Sequence, residues 1–293
     1  MQFNERETVI EKAYAKINLS LDVCGKRPNG YHDVKMIMQS ISLCDELSFE
    51  AIESGIELTM DNEELTAESN GGKENIIVKA AKAFFADTKI NGGVRINLIK
   101  KIPIAAGMAG GSTDAAATLR GLNRLYKTYL DNKKLEKIGV TIGADVPFCI
   151  EGGTKLSEGI GEILTNIPSP EKTFVVICKP DINVSTKEVY EQFDALLNPF
   201  HPDVDSMRKA LEERDYAKVP NLLGNSLEGV TKGIHPIIGE IEKYMEENGA
   251  VKAIMSGSGP TVFGLVEFEK MHKLSEVLKE KYPQFYVGEH YYG

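Results

Sequence analysis

Small or apolar residues alternate with larger or polar ones through residues 12–23: Ala13, Ala15, Ile17, Leu19, Leu21 and Val23 share one parity, and Tyr14, Lys16, Asn18, Ser20 and Asp22 the other. A period of two predicts a half-buried strand that aims Lys16 and Asn18 the same way. Pro28-Asn29-Gly30 supplies turn chemistry before a second strand over 34–43. Residues 47–60 predict a hairpin about Ser54-Gly55, and the polar, glycine-punctuated stretch 61–73 a loop. The period then changes. Asn75 caps an amphipathic helix with Ile76, Ala80, Ala83 and Phe84 along one face. Val94, Ile96 and Leu98 return to strand alternation, and Ala115, Leu119, Leu122 and Tyr126 to helical spacing. Residues 133–141 read as a short helix and 142–148 as a turn into a strand.

After Glu158-Gly159-Ile160-Gly161-Glu162 the texture shifts, and Pro168-Ser169-Pro170 marks a domain boundary, placed between residues 166 and 167. A strand over 173–178 is followed by a helix that Ser185-x-x-Glu188 caps and that runs through Leu197. His235-Pro236 opens another helix, which Gly249 closes, and strands over 251–255 and 261–266 flank a glycine-rich turn. Pattern alone gives mixed strands and helices in two blocks.

Composition narrows the class. The chain has 293 residues, 42% of them apolar, enough to build a core for each of two domains. No apolar run approaches the roughly 18 residues that span a bilayer, and three acidic groups among the first twelve residues leave no signal-peptide core. A cytoplasmic protein is expected, with no membrane partner. Cys24, Cys44, Cys149 and Cys178 are scattered, without metal-ligand spacing, and read as reduced thiols. A net charge of −9 argues against nucleic acid as a partner, so any phosphate must be held by local features.

Such a feature is Pro103-Ile104-Ala105-Ala106-Gly107-Met108-Ala109-Gly110-Gly111-Ser112-Thr113-Asp114-Ala115-Ala116-Ala117, which runs from a strand into a helix with Ser112 or Thr113 as its cap. Small residues there let backbone N–H groups point at one anion from the positive end of the helix. A side chain at Gly110 or Gly111 is expected to stand in the way of a phosphate. The spacing is neither Walker A nor Rossmann. Elsewhere, Tyr31-His32 at the lip of a turn suits stacking on, and bonding to, a base. Gly143-Ala144-Asp145-Val146-Pro147 isolates one carboxylate, and Ser256-Gly257-Ser258-Gly259-Pro260-Thr261 is a second glycine-rich turn. The ordinary explanations are a solvated lysine at Lys16, a surface turn at Asp145 and a plain hairpin at 256–261.

Ala15-Lys16-Ile17-Asn18-Leu19, the 103–117 loop and Ser256 to Thr261, three matches in order over most of the chain, resemble the three motifs of the GHMP kinases. Met108 replaces the usual leucine, and Gly110-Gly111 exceeds the usual glycine count. Together with Gly30-Tyr31-His32 and the Gly-Ala-Asp-Val-Pro segment, this resembles the branch acting on a cytidine diphosphate-linked methylerythritol. The resemblance implies an α+β architecture, with an N-terminal domain like domain 2 of ribosomal protein S5 and a C-terminal ferredoxin-like domain. It also implies ATP as cosubstrate with Mg2+, whose ligands stay unassigned. Asp145 is then the acceptor of the hydroxyl proton, Lys16 the group that neutralises charge, and Asn18 an orienting residue. The 103–113 backbone carries phosphates. Tyr31, His32, Thr186, Tyr190, Gly257, Ser258 and Gly259 face the second substrate. Two alternatives stay open: a GHMP kinase of a sugar, homoserine or mevalonate, which has no need of Tyr31-His32, and a non-catalytic nucleotide binder, which needs neither Lys16 nor Asp145. Oligomeric state is not legible.

Overall fold

The structure, a computed structural model, describes residues 8–61, 74–170 and 173–292; the predicted loop at 61–73 lies outside them apart from Asp61. The chain divides into two compact units. One comprises Met1–Ala15, Leu43–Ile102 and Ala109–Gly152, the other Lys16–Ser42, Pro103–Met108 and Gly153–Gly293. Two long strands, β1 (Val9–Lys26) and β2 (His32–Ile52), pass through both. With β3 (Gly55–Met60), β4 (Gly93–Ile99), β5 (Thr154–Glu158), β6 (Ile163–Asn166) and β8 (Gly224–Asn225) they form a seven-stranded sheet. Its order is β3-β4-β2-β1-β8, with β5 on β2 and β6 on β5.

In the first unit, β4 pairs antiparallel with the far end of β2 and parallel with β3. The hairpin expected about Ser54-Gly55 is therefore not formed, because β4 lies between its two arms. Burial supplies the reason: Val94, Ile96 and Leu98 of β4 are buried, whereas β3 alternates between exposed and half-buried positions and takes the sheet edge. Four helices belong to this unit: α1 (Ile76–Thr88), α2 (Gly110–Leu125), α3 (Asn132–Gly139) and α4 (Val146–Glu151). Asn75 caps α1 as expected, its Oδ1 accepting from Ile77 N at 2.9 Å. The buried stripe is Ile77, Ala80, Ala81 and Phe84, rotated from the predicted one, and it faces α2. A Cβ at Gly121 would clash with the ring of Phe49, which brings α2 onto β2.

Residues 146–151 form a helix where a strand was expected. Pro147 stands in the first turn, where its missing N–H costs nothing, and Val146 to Ile150 are all buried as α4 packs on α2 and α3. Burial on every side removed the periodicity that separates a short helix from a strand.

The second unit contains a four-stranded antiparallel sheet, β11-β7-β10-β9, built from β7 (Thr173–Cys178), β9 (Ala250–Met255), β10 (Val262–Val266) and β11 (Tyr286–Tyr292). In chain order that is 4-1-3-2, the ferredoxin-like arrangement. Between β7 and β9 come α5 (Thr186–Asp194), α6 (Val204–Glu212), α7 (Val219–Leu222), α8 (Glu228–Ile234) and α9 (Ile237–Glu247), and α10 (Phe268–Lys281) follows β10. Helices α9 and α10 cover the sheet, burying Ile238, Ile241, Met245, Leu274 and Leu278 over Val175, Ile177 and Phe263. Ser185 caps α5 through Glu188 N at 3.3 Å, but the helix stops at Asp194, short of Leu197. Leu197 is exposed, so nothing apolar rewards a further turn.

Candidate active site

Strand β1 departs from simple alternation where it matters. Residues 15–21 are buried on both faces, and Lys16 and Asn18 are only 5% and 1% exposed. Lys16 is therefore not a solvated strand lysine. Its Nζ donates to Asn18 Oδ1 at 2.8 Å, and Asn18 Nδ2 donates to Met36 Sδ at 3.3 Å. A buried ammonium persists only where polar groups face it. The Lys16 backbone N–H donates to Met108 O at 3.2 Å, tying the strand to the glycine loop within the second unit.

That part of the loop, residues 103–108, rests on the Ser256-to-Gly259 turn between β9 and β10. Ser256 Oγ donates to Gly107 O at 3.2 Å. Gly107 has φ +70°, and a Cβ on it would clash with Ser256 O and lie 2.9 Å from Gly259 O, so only glycine fits. The turn is itself clamped. Asn225 Nδ2 donates to Met255 O at 2.9 Å and to Gly257 O at 2.8 Å, Thr231 Oγ1 to Ser258 O at 3.2 Å, and Glu228 Oε1 accepts from Met255 N at 2.9 Å. Two glycine-rich stretches 149 residues apart thus form one backbone surface.

In the first unit the loop becomes α2. The cap is Ala109, at φ 57° and ψ 28°, with no side-chain cap bond; Ser112 and Thr113 lie inside the first turns. Thr113 Oγ1 donates to Tyr14 O at 2.8 Å, which takes it away from a capping role. Because no side chain caps the helix, its first backbone N–H groups keep their capacity for an anion. A Cβ on Gly110 would lie 3.1 Å from Ile102 Cγ2 and 3.2 Å from Lys100 Nζ, and one on Gly111 would only touch Ile76 at 3.6 Å. Asp145, half-buried, caps the start of α4 without using its carboxylate on that helix. A Cβ on Gly143, two residues earlier, would lie 3.9 Å from Ser112 Oγ, so this turn and the first turn of α2 adjoin.

At the start of β2, His32 Nε2 is 2.7 Å from Asp194 Oδ1, and Lys26 Nζ donates to Asp194 Oδ2 at 2.8 Å. Burial pushes the Asp194 carboxyl up, but the bonds from Lys26 and His32 outweigh it and hold the group below the usual carboxylate range. The rings of His32 and Tyr190 are 4.6 Å apart and tilted by 39°. Tyr31 is exposed, and Thr186 Oγ1 and Ser258 Oγ are 2.9 Å apart. Among the described residues no group of three or more His, Cys, Asp or Glu side chains is arranged to hold a metal, and no helix is long and apolar enough to cross a membrane.

Residues 75–153 match the model of the GHMP kinases N terminal domain, and residues 207–284 that of the GHMP kinases C terminal domain. The chain belongs to the GHMP kinases. It is 48% identical over 264 residues to a 4-diphosphocytidyl-2-C-methyl-D-erythritol kinase of Lachnoclostridium phytofermentans, covering 88% of each chain. To the protein of that name from Lachnospira eligens it is 45% identical, over 94% of this chain and 95% of the other. Among solved structures, a 4-(cytidine 5'-diphospho)-2C-methyl-D-erythritol kinase superposes with TM-score 0.80 at 30% identity, over 97% of this chain and 99% of that one. The mevalonate kinase of L. major, at 18% identity and TM-score 0.78 over 99% and 97%, shares the fold. The α+β, two-part GHMP kinase architecture is thereby established, and the protein is a kinase.

Asp194 and Asn225 escaped the sequence reading of this GHMP kinase. Asp194 is 162 residues from His32, and as the last residue of a helix it carries no local signal. Asn225 sits in Gly224-Asn225-Ser226, which reads as an ordinary turn, yet it is 2% exposed.

Proposed function

We propose that this kinase moves the γ-phosphoryl of ATP to the tertiary 2-hydroxyl of 4-diphosphocytidyl-2-C-methyl-D-erythritol, a step of non-mevalonate isoprenoid precursor synthesis. The observation that carries this substrate is the His32 and Tyr190 ring pair anchored by Asp194, an aromatic ledge that suits a nucleobase and that mevalonate or homoserine does not require. The names of the relatives agree with it.

In this reading Asp145 accepts the proton of a poorly acidic hydroxyl, and Lys16, oriented by Asn18, neutralises the charge that develops. The backbone of 103–113 receives the phosphates, with Gly257, Ser258 and Gly259 facing the second substrate, so most of the barrier reduction is positioning and charge stabilisation. Mg2+ would travel on the nucleotide phosphates, needing only one or two protein oxygens, and would screen phosphate charge. Tyr31 stacks on the cytosine, His32 reads its edge, Tyr190 forms the second face, and Thr186 lies nearby. The family's two domains meet at residues 166 and 167, and the enzyme works in the cytoplasm. ADP release with Mg-ATP against a panel of acceptors tests the proposal. Turnover with the cytidylyl substrate alone is expected; turnover only with mevalonate, homoserine or a sugar overturns it.

A further inference from the structure

Away from these residues, the first unit buries three charged side chains together. Lys100 follows the last residue of β4, Asp45 lies on β2 and Asp114 near the start of α2. Lys100 Nζ meets Asp45 Oδ2 and donates to Asp114 Oδ2 at 2.7 Å, and the three side chains are 7%, 0% and 5% exposed. Asp45 Oδ1 accepts from the backbone N–H groups of Lys101 at 2.6 Å and Ile102 at 2.7 Å, the last two residues before the glycine loop. At the other end of the loop, Gly110 passes so close to Lys100 that a Cβ would lie 3.2 Å from its Nζ. The loop thus leaves from and returns to one charged clamp.

We propose that Asp114 is a positioning residue for the nucleotide: by holding Lys100 against Asp45 it fixes Ile102 relative to Gly110, and with them the backbone N–H array of the loop. The inference rests on the reading that this loop carries the phosphates of ATP. A buried ion cluster is a poor source of stability, because desolvating three charged groups offsets their attraction, whereas its directional bonds fix one arrangement. Asp114 Oδ1 is buried with no hydrogen-bond partner. Burial, with Asp45 close by, pushes its carboxyl up to about 8 against the pull of Lys100.

Asp114→Asn keeps the shape of the side chain and an oxygen for Lys100; Asp114→Leu removes the bond. The full chain is titrated calorimetrically with a magnesium complex of a non-hydrolysable ATP analogue, and the Michaelis constants for ATP and the cytidylyl substrate are measured with the melting temperature. The Asn variant is expected within about twofold of wild type, and the Leu variant weaker for nucleotide by about tenfold or more with the cytidylyl constant little moved. Should the Leu variant fail to fold, Lys100→Met carries the same expectation. Unchanged nucleotide affinity in the folded variant, or equal losses for both ligands, overturns the inference. A wild type that does not bind the nucleotide overturns instead the reading it rests on.

Discussion

Gly107 and Gly110 stand three residues apart in one loop and are glycine for different reasons. Gly107, in the second unit, has a positive φ, and its neighbours are the carbonyl oxygens of Ser256 and Gly259. Those are backbone atoms of a turn whose neighbouring carbonyls, Gly257 O and Ser258 O, accept neutral hydrogen bonds from Asn225 and Thr231. Gly110, in the first unit, is helical, and its neighbours are the side chains of Ile102 and Lys100, the latter in a cluster of buried charges. In both places the missing Cβ leaves room for other parts of the protein. A glycine-rich phosphate loop is therefore shaped by what lies behind it as well as by what lies in front.

The largest effect expected lies outside this contrast and sets its scale. Asp145→Asn should lose at least about two orders of magnitude in turnover while nucleotide affinity is kept, because the carboxylate matters only as the proton leaves the hydroxyl. Near-normal turnover would remove Asp145 from the chemistry. Lys16→Met should show a similar loss from a folded protein; a lower melting temperature with activity retained would make Lys16 a structural residue.

Next comes the pair that can break the comparison. Gly107→Ala must place a side chain in the left-handed region, at about 1–2 kcal/mol, and push apart two carbonyls that cannot turn away. Its melting temperature should fall and its Michaelis constant for ATP rise by about tenfold or more. Gly110→Ala meets side chains rather than backbone, at 3.1 Å from Ile102 and 3.2 Å from Lys100, and needs no positive φ. Its losses should be clearly smaller on both measures. Equal damage from the two substitutions would mean that both glycines face the ligand.

Much of this was legible because local chemistry and fold agreed. Asn75 and Ser185 cap the helices their side chains announce, and the alternation through Val23 is a strand. The failures have one physical origin, the absence of long-range information from local pattern. Residues 55–60 looked like the return arm of a hairpin, but a more apolar strand competed for the inner place. Lys16 and Asn18 looked half-exposed, since alternation reports the polarity of a face and not what covers it. Ser112 looked like a cap, but an alanine with φ 57° starts the helix three residues earlier. The partners of Lys100 and His32 come from strands and helices that only the tertiary fold brings to them.

The smallest effect concerns Asp194, a charged partner of Lys26 and His32 in the second unit. An ionised carboxylate only accepts, so the hydrogen between it and His32 sits on Nε2, and Nδ1 is the ring atom left for a ligand. If His32 reads the base edge, an acceptor suits the amino group of cytosine and opposes the carbonyl that uracil carries at the same place. Asp194→Asn offers both a donor and an acceptor and no longer dictates the tautomer. One neutral hydrogen bond contributes about 1 kcal/mol, so the preference for cytidine over uridine nucleotides should shrink by less than about tenfold, with turnover on the cytidylyl substrate nearly kept. The measurement is the ratio of competitive inhibition constants for CMP and UMP in both proteins. An unchanged ratio would leave Asp194 as an anchor for Lys26 alone. A ratio near one in the wild type would remove cytosine recognition altogether, and with it the reason for the His32 and Tyr190 ledge.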